Sequence, residues 1–322
     1  MKCLCCNKEI KGTDVNGWHK ACIKRFFGTS ELPEIELTDE KLRSLADETI
    51  NKGLTVAGVQ KKLSLHLTTG SNPRLTIVDY PTGYILKPQA DNFRCLPESE
   101  FIVMQMAHAA GISTVPCALL KAGEGYAYIT SRIDRIAAGK EYPTGAMLAM
   151  EDFCQLDGRM TQDKYRGSCE RCAKIIQKHS SRAGLDMTEL FVRLVFCYIT
   201  GNSDMHLKNF SLIEDKPESG QYILAPAYDL LPVNVIMPED TEAFAIPING
   251  KKNNLHRNDF LNFAEGTGIE RKTASKLIDR LISQKMLFKQ MNDESLLDMD
   301  LKERFSKLIE TRCEMLRVGT QE

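Results

Sequence analysis

The chain has 322 residues, 43% of them hydrophobic, which allows one large or two medium domains with a substantial core. A formal net charge of −1 gives no global attraction for nucleic acid, so no direct nucleic-acid binding is expected, and no run is apolar and long enough to span a membrane. No signal peptide opens the sequence, and eleven cysteines, an odd number, argue against a secreted disulfide framework; the expected location is cytoplasmic.

The first thirty residues carry Cys3-Leu4-Cys5-Cys6 and then Trp18-His19-Lys20-Ala21-Cys22. Cys3-x-x-Cys6 and His19-x-x-Cys22 form two ligand pairs separated by a short turn, a tetrahedral zinc spacing, with Cys5 as an alternative to Cys3. Four protein ligands leave no position for water, so the expected role of Zn²⁺ is structural. A stretch this short cannot bury a core by itself, and a metal would stabilise it.

Next comes Thr55-Val56-Ala57-Gly58-Val59-Gln60-Lys61-Lys62, a small Gly-containing turn with two lysines, leading into an alternating strand that ends near Leu67. Backbone amides in such a turn can cradle phosphates, but it matches neither G-x-G-x-x-G nor Walker A. Gly83-Tyr84-Ile85-Leu86-Lys87-Pro88 reads as a short strand closed by proline, and Lys87 is the candidate phosphate-binding lysine. Residues 100–110 read as a helix ended by Gly111, opened by Glu98 and Glu100. Either acid suits the helix dipole; Glu100 is the preferred partner for Lys87.

In the second half, Cys169-x-x-Cys172 has no second pair nearby and reads as two structural thiols on a helix beginning there. Cys95, Cys117, Cys154, Cys197 and Cys313 read as ordinary buried thiols. Residues 190–199 form an apolar helical run that Gly201-Asn202 ends, so Ser203-Asp204-Met205-His206-Leu207-Lys208-Asn209 is a loop leaving a buried helix. Residues 209–213 and 221–224 then read as a hairpin, with Asp229 just beyond its second strand.

Asp and Asn are common in loops, where they satisfy their own backbone, and Asp-x-x-x-x-Asn alone is weak evidence. Asn202, Asp204, His206 and Asn209 crowded between apolar elements serve no purpose in a merely solvated loop, however. Moving a γ-phosphoryl group requires one carboxylate to orient the acceptor and hard oxygen ligands to hold Mg²⁺; Asp204, Asn209 and Asp229 supply that set. The basic stretch 250–257 reads as a solvated turn before a helix near Asp259, with a docking patch as the lesser reading. Helical periodicity dominates from Asn258 onward.

Taken in order, these residues resemble the HipA family, bacterial serine/threonine kinase toxins of toxin–antitoxin operons. The 55–60 turn is similar to that family's Ser-x-Ala-Gly-x-Gln loop, and Ile85-Leu86-Lys87-Pro88 to its lysine strand. Residues 129–135 resemble its hinge, Glu151-Asp152-Phe153-Cys154-Gln155 its Glu-Asp-Phe-Cys-Gln segment, and residues 201–210 and 224–231 its catalytic and metal motifs. The resemblance implies an α+β, two-lobed protein-kinase-like fold. Its expected parts are a zinc-knuckle-like segment over 1–30, an N-lobe over 31–135 and a mostly helical C-lobe over 136–322.

It further implies binding of ATP and Mg²⁺, with Asp204 as base, Asn209 and Asp229 on metal and Lys87 on phosphate. Backbone groups of Ser131, Arg132 and Ile133 would hold adenine, and His206 and Lys208 would approach the nucleotide. Thr55 stands where the family's loop serine is autophosphorylated, so Thr55 is the expected regulatory site. Ser131 replaces the usual hinge glutamate, a departure that touches only the side-chain contact.

Family members carry an extra N-terminal subdomain of roughly a hundred residues, the size of a small domain. Here a separate small protein is expected to supply it, alongside or as the antitoxin; a HipB-like DNA-binding antitoxin is the other implied partner. The expected substrate is a protein such as an aminoacyl-tRNA synthetase. The alternatives are a small-molecule phosphotransferase of the antibiotic-kinase type and a nucleotide-binding pseudokinase.

Overall fold

The computed structural model describes residues 1–10, 16–35, 61–78, 80–136 and 146–317. They divide into one unit of Met1–Phe101 with Val115–Arg135 and a second of Ile102–Thr114 with Ile136–Glu322. Thr55, Ala57, Gly58, Val59 and Gln60 lie outside the described residues; Lys61 and Lys62 lead directly into the first strand.

In the first unit, β1 (Leu63–Thr68), β2 (Arg74–Val78), β3 (Tyr84–Lys87), β4 (Cys117–Ala122) and β5 (Gly125–Ser131) form an antiparallel sheet in the order β2-β1-β3-β5-β4. Leu65, Leu86, Ala118, Leu119, Ala127 and Ile129 are fully buried and form its core. Each large aliphatic side chain removed from water contributes about 1.5–3 kcal/mol. β4 and β5 are joined by the two-residue turn Gly123-Glu124, with Gly123 at φ 57°, the left-handed geometry a tight hairpin requires. Helix α2 (Leu96–Ala109) starts earlier than residue 100, because Pro97 fits a first turn, where its missing N–H costs nothing.

Residues 1–10 and 16–28 attach to this sheet. Helix α1 (Lys20–Phe27) ends at Gly28 in the left-handed conformation and lays Phe26 and Phe27 against Trp18 and Tyr84, with ring centroids 4.8–5.7 Å apart. The Tyr84 hydroxyl donates to the Phe26 carbonyl at 3.1 Å. At the other side of the sheet the Leu119 N–H of edge strand β4 donates to the Leu4 carbonyl at 2.8 Å. The terminal segment therefore grips the sheet both by an aromatic stack and by the backbone.

In the second unit, β6 (Met150–Asp152), β7 (Ser211–Glu214) and β8 (Tyr222–Leu224) form a small antiparallel sheet. The hairpin expected from residues 209–224 is β7–β8, in the register Leu212↔Leu224. A short helix α3 (Phe153–Leu156) follows β6, and α4 (Cys169–His179) starts at its N-cap Ser168, whose side chain accepts from the Arg171 N–H. Cys169 and Cys172 are buried in α4, as free thiols.

The centre of the unit is α5 (Ala183–Thr200), every residue of which from Leu190 to Thr200 is buried. A helix apolar on all sides must be surrounded. Around it stand α6 (Val233–Ile236), α7 (Arg257–Gly266), α8 (Arg271–Ser283), α9 (Lys285–Asp293) and α10 (Met299–Arg317), with Phe196 edge-on to Phe288 and Tyr198 5.4 Å from Phe260. Asp186 of α5, almost fully buried, accepts from the Leu224 N–H at 2.6 Å and the Ser180 hydroxyl at 2.7 Å, tying β8 to the helix. The lysines of the 250–257 turn are paired with acids, Lys251 with Asp259 at 2.7 Å and Lys252 with Glu242 at 3.0 Å, as befits a solvated turn.

Candidate functional site

In the first unit, Lys87 at the end of β3 donates to the Glu100 carboxylate at 2.6 Å, and both side chains are nearly inaccessible. A buried ammonium is tolerated only when paired, and the Tyr128 ring 5.3 Å away adds a cation–π contact. Lys87 follows the apolar residues of β3, so the strand carries its stem inward, while Glu100 sits one turn into α2.

The hinge residues follow β5. The N–H groups of Ser131 and Arg132 are already engaged, donating to the Pro116 carbonyl at 3.0 Å and the Gly83 carbonyl at 2.8 Å. Arg132 folds back onto Asp134 through Nε and Nη2, and Arg135 joins the same carboxylate.

The second unit holds the loop 201–210. α5 ends at Gly201, φ 69°, and a β-carbon there would stand 2.6 Å from Leu308 Cδ2, so both the conformation and the space demand glycine. The loop is then clamped from several sides. Its start is fixed by the Asn234 N–H on the Gly201 carbonyl and by the Ser203 hydroxyl on Asp240 at 2.6 Å. Its end is fixed by the Leu207 N–H on the Lys164 carbonyl and the Phe153 N–H on the Phe210 carbonyl.

Asp204 accepts from the Tyr165 hydroxyl through Oδ1 at 2.8 Å. Burial first, then the Asp204 carboxylate, push the Tyr165 phenol up, so it remains protonated and donating. Asn209, in the one-turn helix Leu207–Asn209, donates through Nδ2 to the Asp204 carbonyl at 3.0 Å, which leaves its amide oxygen as the side-chain atom that can accept or ligate. Asp229 has φ 60°, an uncommon conformation for a side chain other than glycine. Beside it, the Tyr228 hydroxyl bridges Ser211 at 2.5 Å and the Lys208 carbonyl at 3.1 Å, so the Asp229 segment is bolted to the loop.

Burial drives the His206 imidazole below the usual histidine range, while the fields of Asp204 and Asp229 oppose that shift and that of Lys164 adds to it. Its Nδ1 is buried without a hydrogen-bond partner among the described residues, and Tyr165 packs edge-on at 5.2 Å. Lys208 is turned onto Asp152 at 2.6 Å, and that same carboxylate caps α3 by accepting from the Gln155 N–H at 3.0 Å.

Tyr165 and Asp240 are the members that motif spacing missed, since they lie 39 and 36 residues from Asp204 and belong to no pattern containing it. Asp152 was visible within its five-residue segment, but its contact with Lys208 was not. An Asp immediately before a short helix is an N-cap signal, and that signal could have singled it out.

The terminal donors also converge. Cys3, Cys6, His19 and Cys22 offer ligand atoms all within 4.8 Å of one another. The His19 Nδ1 lies 3.4 Å from the Cys6 sulfur and 3.8 Å from that of Cys22, while its Nε2 reaches the Glu9 carbonyl at 3.0 Å. That second hydrogen bond fixes the tautomer that turns Nδ1 toward the sulfurs, the outer-shell arrangement typical of metal-binding histidines. Burial and then the neighbouring thiols push the Cys22 thiol up, so the donor set is one that a divalent cation would relieve. Cys5 is not among the four converging donors; the Nη2 of Arg25 lies 4.0 Å from its sulfur and equally 4.0 Å from that of Cys22.

Comparison with known proteins follows the same geometry. The chain is similar to a Haemophilus influenzae protein named "Putative kinase", 26% identical over 92% of this chain and 90% of that one. It is also similar to "Putative kinase Y4dM" of Sinorhizobium fredii, 32% identical over 70% of this chain and 58% of that one. Among solved structures, HipA of Shewanella oneidensis MR-1, determined with HipB and its operator DNA, superposes with a TM-score of 0.70 at 19% identity, covering 85% of this chain and 70% of that one. The Helicobacter pylori proinflammatory kinase CtkA gives a TM-score of 0.52 at 16% identity over 75% and 90%. The mixed α and β architecture is thus the kinase-like fold expected from the motifs. The family model for the HipA-like C-terminal domain matches residues 54–286, which include Lys87, Glu100, the whole loop and Asp229, and the chain belongs to that family.

Proposed function

We propose that the protein is an ATP- and Mg²⁺-dependent serine/threonine protein kinase, the toxin of a toxin–antitoxin pair. The observation that carries this reading is the loop in which Asn209 is held on the Asp204 backbone and Tyr165 on the Asp204 carboxylate, with the Asp229 segment tied to the same loop through the Tyr228 hydroxyl. Two acids and an amide oxygen on one loop and the segment tied to it are the groups that phosphoryl transfer needs.

Each residue then has a task. Tyr165 occupies Oδ1 of Asp204, which leaves Oδ2 to accept the proton of the acceptor hydroxyl and to aim it. The Asn209 oxygen and the Asp229 carboxylate would hold Mg²⁺, which when bound neutralises charge on the transferring group. Lys87, oriented by Glu100, binds phosphate. Lys208 holds a fixed positive charge against Asp152. His206 stays neutral, as its burial favours. With the Ser131 and Arg132 N–H groups spent within the unit, adenine recognition falls to Ile133 N–H and the hinge carbonyls.

The Shewanella oneidensis HipA was determined together with HipB and operator DNA, which supports a HipB-like antitoxin as partner here. The protein substrate, for which an aminoacyl-tRNA synthetase is the reading's choice, and autophosphorylation at Thr55 belong to the same proposal. Cys3, Cys6, His19 and Cys22 would hold a structural Zn²⁺, measurable as one equivalent by elemental analysis.

The test is transfer of ³²P from labelled ATP to protein in a cell extract, with wild type and Asp204→Asn side by side. Label on protein that disappears in the variant supports the reading. Label only on soluble small molecules would favour a small-molecule phosphotransferase, and nucleotide binding without any transfer would favour a pseudokinase.

A further inference from the structure

Beside the loop lies a shallow, open depression of about 410 Å³ lined by Arg159, Tyr165, Arg166, Gly167, Ser168 and Arg171. Three guanidinium groups around one space repel each other unless something orients and compensates them. Asp157, whose side chain is only 4% exposed, accepts from the Nε of both Arg159 and Arg171. Against the cost of burial, the two guanidiniums hold the Asp157 carboxyl below the usual carboxylate range. One buried carboxylate therefore pins two cations, leaving a net positive charge.

The pairing has a directional consequence. With Nε spent on Asp157, the Nη groups of Arg159 and Arg171 meet no acceptor among the described residues. They are fork-shaped donors held in place, the geometry that matches a carboxylate or a phosphoryl group. Arg166 adds a third guanidinium, shared with Asp163 at 3.1 Å.

Tyr165 and Gly167 connect this surface to the loop. Tyr165 forms part of the depression's wall, and the hydroxyl of the same residue donates to Asp204. Gly167 packs so closely on Leu207 that a β-carbon there would stand 2.9 Å from its methyl groups. An acceptor hydroxyl delivered to Asp204 thus brings its polypeptide past the arginines. At about 3.3 Å per extended residue, one phenol ring separates the two points by about two or three residues.

Resting on the kinase reading of this loop, we propose that the arginine depression is a specificity site for the substrate polypeptide. It takes an acidic or phosphorylated side chain two or three residues from the acceptor serine or threonine. No bond is made or broken there; the site positions the chain.

The test uses the full chain and labelled nonapeptides centred on one Thr, with Gln, Glu or phosphoserine at the flanking positions, titrated by fluorescence anisotropy. Glu and phosphoserine peptides should bind wild type at least tenfold more tightly than the Gln peptide, and high salt should shrink the difference. In Arg159→Gln/Arg171→Gln the preference should fall within twofold, with nucleotide affinity unchanged. Equal affinity for all three peptides, or a preference retained by the double variant, overturns the site.

Because that variant leaves a buried Asp157 without its partners, Arg166→Gln, at a side chain 78% exposed, serves as the second variant. It should fold as wild type and lose about threefold of the preference. If the double variant does not fold, full preference in Arg166→Gln is the overturning result. Glu against phosphoserine separates a carboxylate-reading site from a phosphoryl-reading one. ³²P transfer to the same peptides separates the two claims: acidic peptides that bind but accept no label sink the kinase reading alone, whereas equal kcat/KM for all three sinks the arginine site alone.

Discussion

The terminal segment of residues 3–28 and the loop of residues 201–210 both immobilise polar groups, and they do so on different scales. The first draws its four donors from a twenty-residue stretch and rests one helix and three aromatic rings on a single strand. The second is suspended in a unit with a large apolar interior and held by partners such as Tyr165, Asp152 and Asp240, all far away in sequence. A short segment without a core of its own depends on its ligands for its fold. A loop embedded in a core can lose one contact and keep its shape, changing its chemistry instead.

The largest expected effect tests the first half of that contrast. On the proposal that the four donors hold zinc, Cys22→Ser or treatment with a chelator should loosen the segment as a whole, since apparent zinc-binding energies in such sites run to about 10–16 kcal/mol. Trp18 is the sole tryptophan and fully buried against Phe26 and Phe27, so its emission should shift to the red, and fluorescence reads this segment without interference. An unchanged spectrum would show that packing alone suffices.

Asp204→Asn comes next, with the opposite signature. Transfer should fall roughly 10²–10⁴-fold while the Trp18 emission and the melting temperature stay put, because loss of a base acts on the transition state. A large fall in melting temperature would mean that Asp204 supports the fold.

Gly201→Ala should destabilise the second unit by about 2 kcal/mol or more, combining a left-handed backbone with a β-carbon pressed on Leu308. Urea unfolding measures it, and repair by the second change Leu308→Ala would isolate the steric part. Smallest of the four, Tyr165→Phe should lower kcat about tenfold with the KM for ATP unchanged, since only the positioning of Asp204 is lost. A changed KM for ATP would place Tyr165 on the nucleotide instead.

Much of this was legible before any coordinates. The strand ending at Lys87, the buried helix closed by Gly201 and the β7–β8 hairpin follow from apolar runs bounded by Gly and Pro, which are local signals. The two terminal donor pairs were legible from their spacing along the chain, which left Cys3 and Cys5 as alternatives; the convergence of ligand atoms selects Cys3. β2, β4 and β6 were not anticipated, as short strands acquire their meaning only from the neighbours that complete their ladders. The same limit hid Tyr165 and Asp240, whose contacts with the loop depend on tertiary folding. The arginine depression was hidden for another reason: three arginines over thirteen residues look like solvated charge until Asp157 is seen to aim two of them.

The hydrogen bond from the Leu119 N–H to the Leu4 carbonyl reaches beyond chemistry. β4 is the outermost strand of its sheet, and an uncovered outer strand is a template for pairing with another chain. By lying on it, the terminal segment acts as a stopper. Protein stripped of that stopper should fail first by clumping, long before the loop of residues 201–210 is disturbed.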